Sequence, residues 1–302
     1  VTFYAARACK QERKRGVQAR KGTAMKPEIM IVFGIFLTFA LLEALFTSLH
    51  KKPNQTRADV IVESVSTIAT LGLIQPFIVL MSATLLGWSI PLYQGSLADL
   101  GFLAGFALFL IFDDLAVYCW HRLAHSVPVL YNLHRPHHNG EYMSVRVTFR
   151  NNLFYYLFSP PIWLSGVLIY LGLGHVYAVY LVMKMAVILS SHSDVRWDAP
   201  LYRIAWLSPL IWVVERIIVT PAAHHAHHGK HLADGATHYK GNFGNMLIVW
   251  DLLFGTAFIS RQVPKRYGVE DLPETTAAEQ LIWPLAHAPA AARVSKEVKG
   301  NA

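Results

Sequence analysis

Cysteine is nearly absent from this chain of 302 residues. Its two cysteines, Cys9 and Cys119, cannot make a disulfide framework, an iron–sulfur site or a zinc ribbon. Charge is scarce too, at 15% of residues against about 25% in soluble domains. Catalytic signatures are missing in turn. There is no Gly-x-Ser-x-Gly elbow of the serine hydrolases and no glycine loop that cradles phosphate. A zinc peptidase would need glutamate inside a His-Glu-x-x-His motif, and that position is Arg122. The chain also lacks a Rossmann fingerprint, a flavin motif and a Cys-x-x-Cys-His haem attachment.

Apolar sequence is plentiful. The chain is 54% hydrophobic, with a mean hydropathy of +0.34. The first apolar run, Ile29–Leu49, is long enough to cross a bilayer of about 30 Å, with Glu43 as an odd charge inside it. Further runs are Val65–Trp88, Leu97–Trp120 with Asp113 and Asp114 in its last third, Leu153–Leu173, and Val176–Leu189. The last two, joined at Gly172–Gly174, read as a helical hairpin, and Pro160–Pro161 must kink or shorten the first of them. Ala199–Thr220 mixes Arg203, Glu215 and Arg216 with tryptophans, as an amphipathic segment at the interface would. Asn245–Ile259 reads as one more apolar helix. The net charge of +8 suits basic loops facing lipid headgroups, and no nucleic-acid partner is expected. Arg122, Arg135, Arg146 and Arg150 on one side of the uncharged hairpin turn, and Arg196, Arg203, Arg216, Lys230 and Lys240 on the other, put those flanks in the cytoplasm.

The expected fold is therefore all-α: a multi-pass membrane bundle of four or five transmembrane helices under a cytoplasmic, histidine-rich, metal-binding cap. The expected divisions are a basic tail at 1–28, transmembrane helices at 29–100, a catalytic domain at 101–260 and a C-terminal tail at 261–302. Met25, just ahead of the first apolar run, is one candidate for the functional start; the alternative is a disordered basic tail.

Thirteen of the 15 histidines fall between His121 and His238. They form three clusters: His121 with His125; His134 with His137 and His138; His224 with His225, His227 and His228. Residues four apart on a helix share a face, with Cβ atoms about 6 Å apart. Facing helices can then enclose metal. Without His225, the eight remaining rings suit two metals at four apiece, or one metal plus supporting positions. Imidazole accepts iron, zinc, copper and nickel alike. Asp114, seven residues before His121, could orient a ligand ring through a hydrogen bond, or it and Asp113 could cap the helix end. His225, His231 and His238 are weaker candidates, suited to supporting or surface positions.

At these residues the sequence resembles the membrane-bound fatty acid hydroxylase and sterol desaturase superfamily. The resemblance covers roughly Ala104–Phe258. It is carried by DLAVYCWHRLAH, LHRPHH, Arg150, SSHSDV around His192, TPAAHHAHHG and GNFGNMLIVWDLLFGT. The chain departs from the family at Phe243, where tyrosine is usual, and at Asp194, where asparagine is usual. The resemblance implies a di-iron oxygenase that uses O2 to hydroxylate or desaturate a lipid such as a sterol or fatty acyl chain. It implies His121, His125, His134, His137, His138, His224, His227 and His228 as iron ligands, with His192 as a ninth, and Asp114, Asn242 and His225 as their supports. With no cofactor motif of its own, the chain would take electrons from a separate donor: a cytochrome b5-like protein, a ferredoxin or a reductase. Two other classes stay open, a histidine-rich metal transporter and a zinc-dependent membrane hydrolase.

Overall fold

A computed structural model describes residues 26–272 and 275–287. Cys9, Met25, most of the basic tail and the last part of the C-terminal tail lie outside them. The described residues are helical, with isolated bridges Ile218–Leu247 and Gly229–Tyr267 as their only β pairing. Helix α1 spans Pro27–Phe46. Helix α2 spans Arg57–Ser89, with a wide π turn at Thr70–Ile74, and α3 spans Phe102–Ser126, with another at Leu110–Leu115. After α4 (Pro128–His138) come α5 (Leu153–Leu157), α6 (Pro160–Leu168) and α7 (Gly174–His192). Short helices follow: α8 (Asp198–Leu201), α9 (Ser208–Val214), α10 (Pro221–His227), α11 (Val249–Leu253) and α12 (Ala277–Ile282).

Among the described residues, four stretches are long and apolar enough to cross a membrane: Pro27–Phe46, Arg57–Ser89, Phe102–Ser126 and Leu153–His192. Their outward faces carry Leu41, Leu45, Ile68, Leu80 and Leu103, all exposed. Apolar surface on that scale has a bilayer as its natural solvent. The chain is an integral membrane protein.

The stretch of 40 residues is not one rod. Pro160 starts α6 three residues after Leu157 ends α5, in a first-turn position where a ring without an N–H is tolerated. Gly172, at φ 111°, turns the chain back. Ser165 and Tyr180, on either side of this turn, reach the same Asp113 carboxylate, which a straight helix could not allow. A Cβ at Gly172 would stand 2.9 Å from the Ala98 backbone nitrogen, so the turn also requires glycine for space.

Glu43, the odd charge of α1, is fully buried. Its carboxylate accepts from Ser144 Oγ (2.7 Å), the Val145 amide (2.7 Å), Ser193 Oγ (2.8 Å) and the Asp194 amide (3.1 Å). One side chain thus pins α1 to the loop after α4 and to the end of α7. Capping starts α2: Thr56 Oγ1 accepts from the Asp59 amide while Asp59 accepts from the Thr56 amide. Residues 199–220 keep Trp206, Leu210 and Trp212 exposed, with Arg216 stacked 3.9 Å from the Trp212 ring centre. That is the make-up of an interfacial segment.

The apolar helix expected over Asn245–Ile259 is cut to Val249–Leu253. Asp251 takes the amides of Phe243 and Gly244, and Gly255 at φ 70° ends the helix, so local side-chain bonds displace the helical ladder.

Candidate metal centre

Four elements bring the nine expected ligands together where the apolar helices end. Two groups result. His121 and His125 of α3, His134 and His138 of α4, and His227 of α10 form the first, with ligand atoms within 4.8 Å of one another. His137 of α4, His192 of α7, and His224 and His228 at α10 form the second, within the same limit. The triplets expected to share one face divide between the groups. His134 and His138 go one way and His137 the other; His224 and His228 go one way and His227 the other. Adjacent residues diverge by about 100° on a helix, and the rings of the facing helices draw each neighbour into a different group. The groups touch: the rings of His138 and His228 stack at 4.4 Å between centres.

Hydrogen bonds on one nitrogen decide what the other can do. Nδ1 of His121 lies 2.8 Å from the Phe243 carbonyl, His227 2.7 Å from Gly241, His137 3.2 Å from Arg150 and His192 2.8 Å from Ile188. A carbonyl only accepts, so these Nδ1 atoms carry the proton and donate it. Their Nε2 atoms keep a bare lone pair. Those lone pairs face one another: His121 to His227 at 3.0 Å and His137 to His192 at 3.2 Å. Further close Nε2 pairs are His134–His138 at 3.2 Å, His192–His224 at 2.9 Å and His224–His228 at 3.1 Å. Aprotic nitrogens at such distances repel unless a cation lies among them. Nε2 of His125 is buried without a partner, another demand that a metal would meet. The donor set therefore fits metal. Burial, reinforced by neighbouring rings, holds His134, His137, His138, His224, His227 and His228 well below the ordinary histidine range, which keeps them neutral as ligands must be.

The expected supports behave differently. Asp114 does not bond a histidine ring. Its Oδ2 accepts from the Trp250 indole at 2.7 Å, because the π turn at Leu110–Leu115 breaks the helical phase that would have put it under His121. Asn242, at φ 54°, donates to the Ala223 carbonyl and accepts from the Phe258 amide, tying its loop to α10. His225 lies outside both groups: Nε2 donates to the Ser193 carbonyl and Nδ1 accepts from Tyr267. The sequence reading missed Asn151, whose Oδ1 holds His134 Nδ1 at 2.9 Å, and Asp251. Asp251 accepts from the Phe243 amide (2.8 Å), the Gly244 amide (2.7 Å) and Thr256 Oγ1 (2.6 Å), and so fixes the carbonyl that orients His121. The Trp-Asp-x-x-Phe-Gly-Thr ending was the available signal.

Two cavities approach the histidines. One, of about 450 Å³, reaches His125 and His138 past Tyr131, Lys230, Tyr239, Lys240 and Glu270. The other, of about 130 Å³, lies among the membrane helices beside Tyr155, which stacks on His134 at 4.8 Å, and Ile188, which holds His192.

The human (Homo sapiens) alkylglycerol monooxygenase is 29% identical over 143 residues, 47% of this chain and 28% of that relative. Ornithine lipid hydroxylase of Rhizobium tropici is 30% identical over 154 residues, 49% of this chain and 40% of that relative. The chain thus spans well under half the length of these relatives. No solved structure matches it. Residues 106–256, half of the chain, match the family model described as fatty acid hydroxylase; the chain belongs to the fatty acid hydroxylase family.

Proposed function

We propose that this protein is an oxidoreductase that hydroxylates a C–H bond of a lipid, using O2 and two electrons from a separate donor, at two irons held by the nine histidines. One observation carries this reading: two touching all-imidazole groups, their Nε2 lone pairs converging, at the ends of membrane helices. Iron bound there supplies the chemistry that activates oxygen toward an unreactive C–H bond. The chain's own residues do the rest. Backbone carbonyls of Phe243, Gly241, Arg150 and Ile188 fix the ring tautomers. Trp120, Tyr155 and Ile188 give the membrane-side cavity apolar walls that exclude water from a lipid chain. In this reading residues 101–260 form the catalytic part, and the basic flanks of the histidines favour a cytoplasmic side for them. Lys230 and Lys240, at the mouth of the larger cavity, suit docking of an acidic donor such as a cytochrome b5-like protein, ferredoxin or reductase.

Alkylglycerols and ornithine lipids head the substrate screen, because relatives named for them share the family; sterols and fatty acyl chains follow. Hydroxylation is favoured over desaturation on the same ground. A hydrolase would need a general base beside the metal, and the hydrogen-bond partners of the nine rings are carbonyls, one amide and each other. The test is metal content and redox response of the detergent-purified protein. Two irons per chain that reduce with dithionite and reoxidise with oxygen support the reading. Redox-inert zinc alone, after iron-replete expression, overturns it in favour of the hydrolase or the transporter.

A further inference from the structure

The histidines leave one membrane-embedded polar group unexplained. Asp113 sits in the π turn of α3, buried among apolar helices. Its Oδ1 accepts from Ser165 Oγ at 3.0 Å, and its Oδ2 from Tyr180 at 2.5 Å and from Lys184. The carboxylate thus accepts three bonds. Lys184 has three N–H groups and, among the described residues, one acceptor, Asp113. Charges within a membrane are costly and commonly mark a substrate or ion path. This pair borders the cavity of about 130 Å³, which Lys184, Asp113, Tyr177 and Tyr180 line together with Tyr155 and Ile188. That volume holds a segment of a lipid, since whole ligands need about 300–1,000 Å³. Lys184 lies eight residues before His192 on α7, about 12 Å along the axis at ~1.5 Å per residue.

We propose that Lys184 anchors the substrate by donating a hydrogen bond to a neutral oxygen, placed about 12 Å from the carbon that faces the histidines. The substrate class is then an oxygenated hydrophobe: a lipid with a hydroxyl, ether or carbonyl oxygen set apart from its reacting carbon. A neutral oxygen is specified because Asp113 already balances the lysine, so an anion would bring an uncompensated charge into the membrane. This inference rests on the lipid hydroxylase reading and adds the feature of the lipid that the cavity selects.

The test is a competition for the full-length, metal-loaded protein in detergent. A fluorescent polyene fatty acid is displaced by nonadecane or by nonadecan-10-one, whose oxygen lies nine carbons from either end. In the natural protein the ketone should displace the reporter at about tenfold lower concentration, the scale of a hydrogen bond to a charged group. D113N/K184M removes both charges and leaves neither unpaired; its ketone should fall to the level of the hydrocarbon, while K184R keeps the preference. Retained iron content verifies that the double variant is folded. Leu181→Trp, which fills the cavity from a position one turn before Lys184 and leaves both charges in place, should weaken both competitors. No preference in the natural protein, a preference that survives D113N/K184M, or unchanged displacement in Leu181→Trp would each overturn the proposal. A preference found in a protein without oxygen-dependent product keeps the anchor and rejects the hydroxylase reading. Product without the preference does the reverse.

Discussion

Asp251→Ala should damage one half of the metal centre and spare the other. The carboxylate holds the amides of Phe243 and Gly244 at 2.8 and 2.7 Å in a fully buried loop. Its removal leaves both N–H groups without a partner, at about 1–3 kcal/mol each, or about 4 kcal/mol together. The loop then loosens, and with it the Phe243 and Gly241 carbonyls that orient His121 and His227. Both rings belong to the five-histidine group. In the four-histidine group, His137 and His192 are oriented by Arg150 and Ile188, which Asp251 does not touch. Loss of such a support weakens metal binding about 10–100-fold. Titration against a competing chelator should therefore show two binding steps in the natural protein, with only one displaced in Asp251→Ala. Asp251→Asn, which keeps one acceptor oxygen, should fall between. Equal weakening of both steps, or of neither, would refute the chain of support from Asp251 to His121.

Other consequences can be checked separately. His125→Ala and His137→Ala should each abolish turnover, yet each should keep the metal of the opposite group; loss of all metal in both would show a single indivisible site. Glu43→Ala should destabilise the fold by about 3 kcal/mol, because four donors lose their acceptor and the buried Lys52 is left with Asp194 alone, and an unchanged thermal midpoint would contradict the pinning role. Gly172→Ala should cost about 1–3 kcal/mol, since its φ of 111° and the nearby Ala98 backbone both exclude a side chain; a wild-type melting curve would count against it. Burial lowers His225 to about 4, so the unfolded chain binds its proton first. That stability is fully present above about 6.5 and is lost as pH falls toward 4. Chelator-treated protein should melt progressively lower across that window, and a flat profile would contradict the burial.

The recurrent histidine offsets made most of the centre legible before any fold was known. His192 was visible only through the family resemblance, since the other histidine of α7, His175, lies at the opposite end of that helix and offers no i, i+3 or i+4 partner. The division of each triplet between two groups was not legible, because it depends on where the facing helices stand. Nor were the orienting groups: a backbone carbonyl such as that of Phe243 has no side-chain signature, and it reaches His121 across 122 positions of sequence. The bond of Asp114 to Trp250 was not legible, because regular helical spacing fails inside a π turn. Glu43 looked anomalous for the same reason that it matters, since its partners, at 144, 145, 193 and 194, are remote along the chain.

Because the rings come from α3, α4, α7 and α10, no part of the chain emerging early in synthesis carries a finished binding site. His121 is threaded into the bilayer long before His228 is translated. Until then the early rings have neither their late partners nor the Gly241 and Phe243 carbonyls. On the function proposed above, metal loading then follows membrane insertion rather than accompanying it. A cell short of the metal would hold fully inserted but unfinished chains, with histidines of like tautomer crowded at about 3 Å. Those chains would be the ones its quality-control proteases meet first, and abundance of the protein would follow metal supply without any change in transcription.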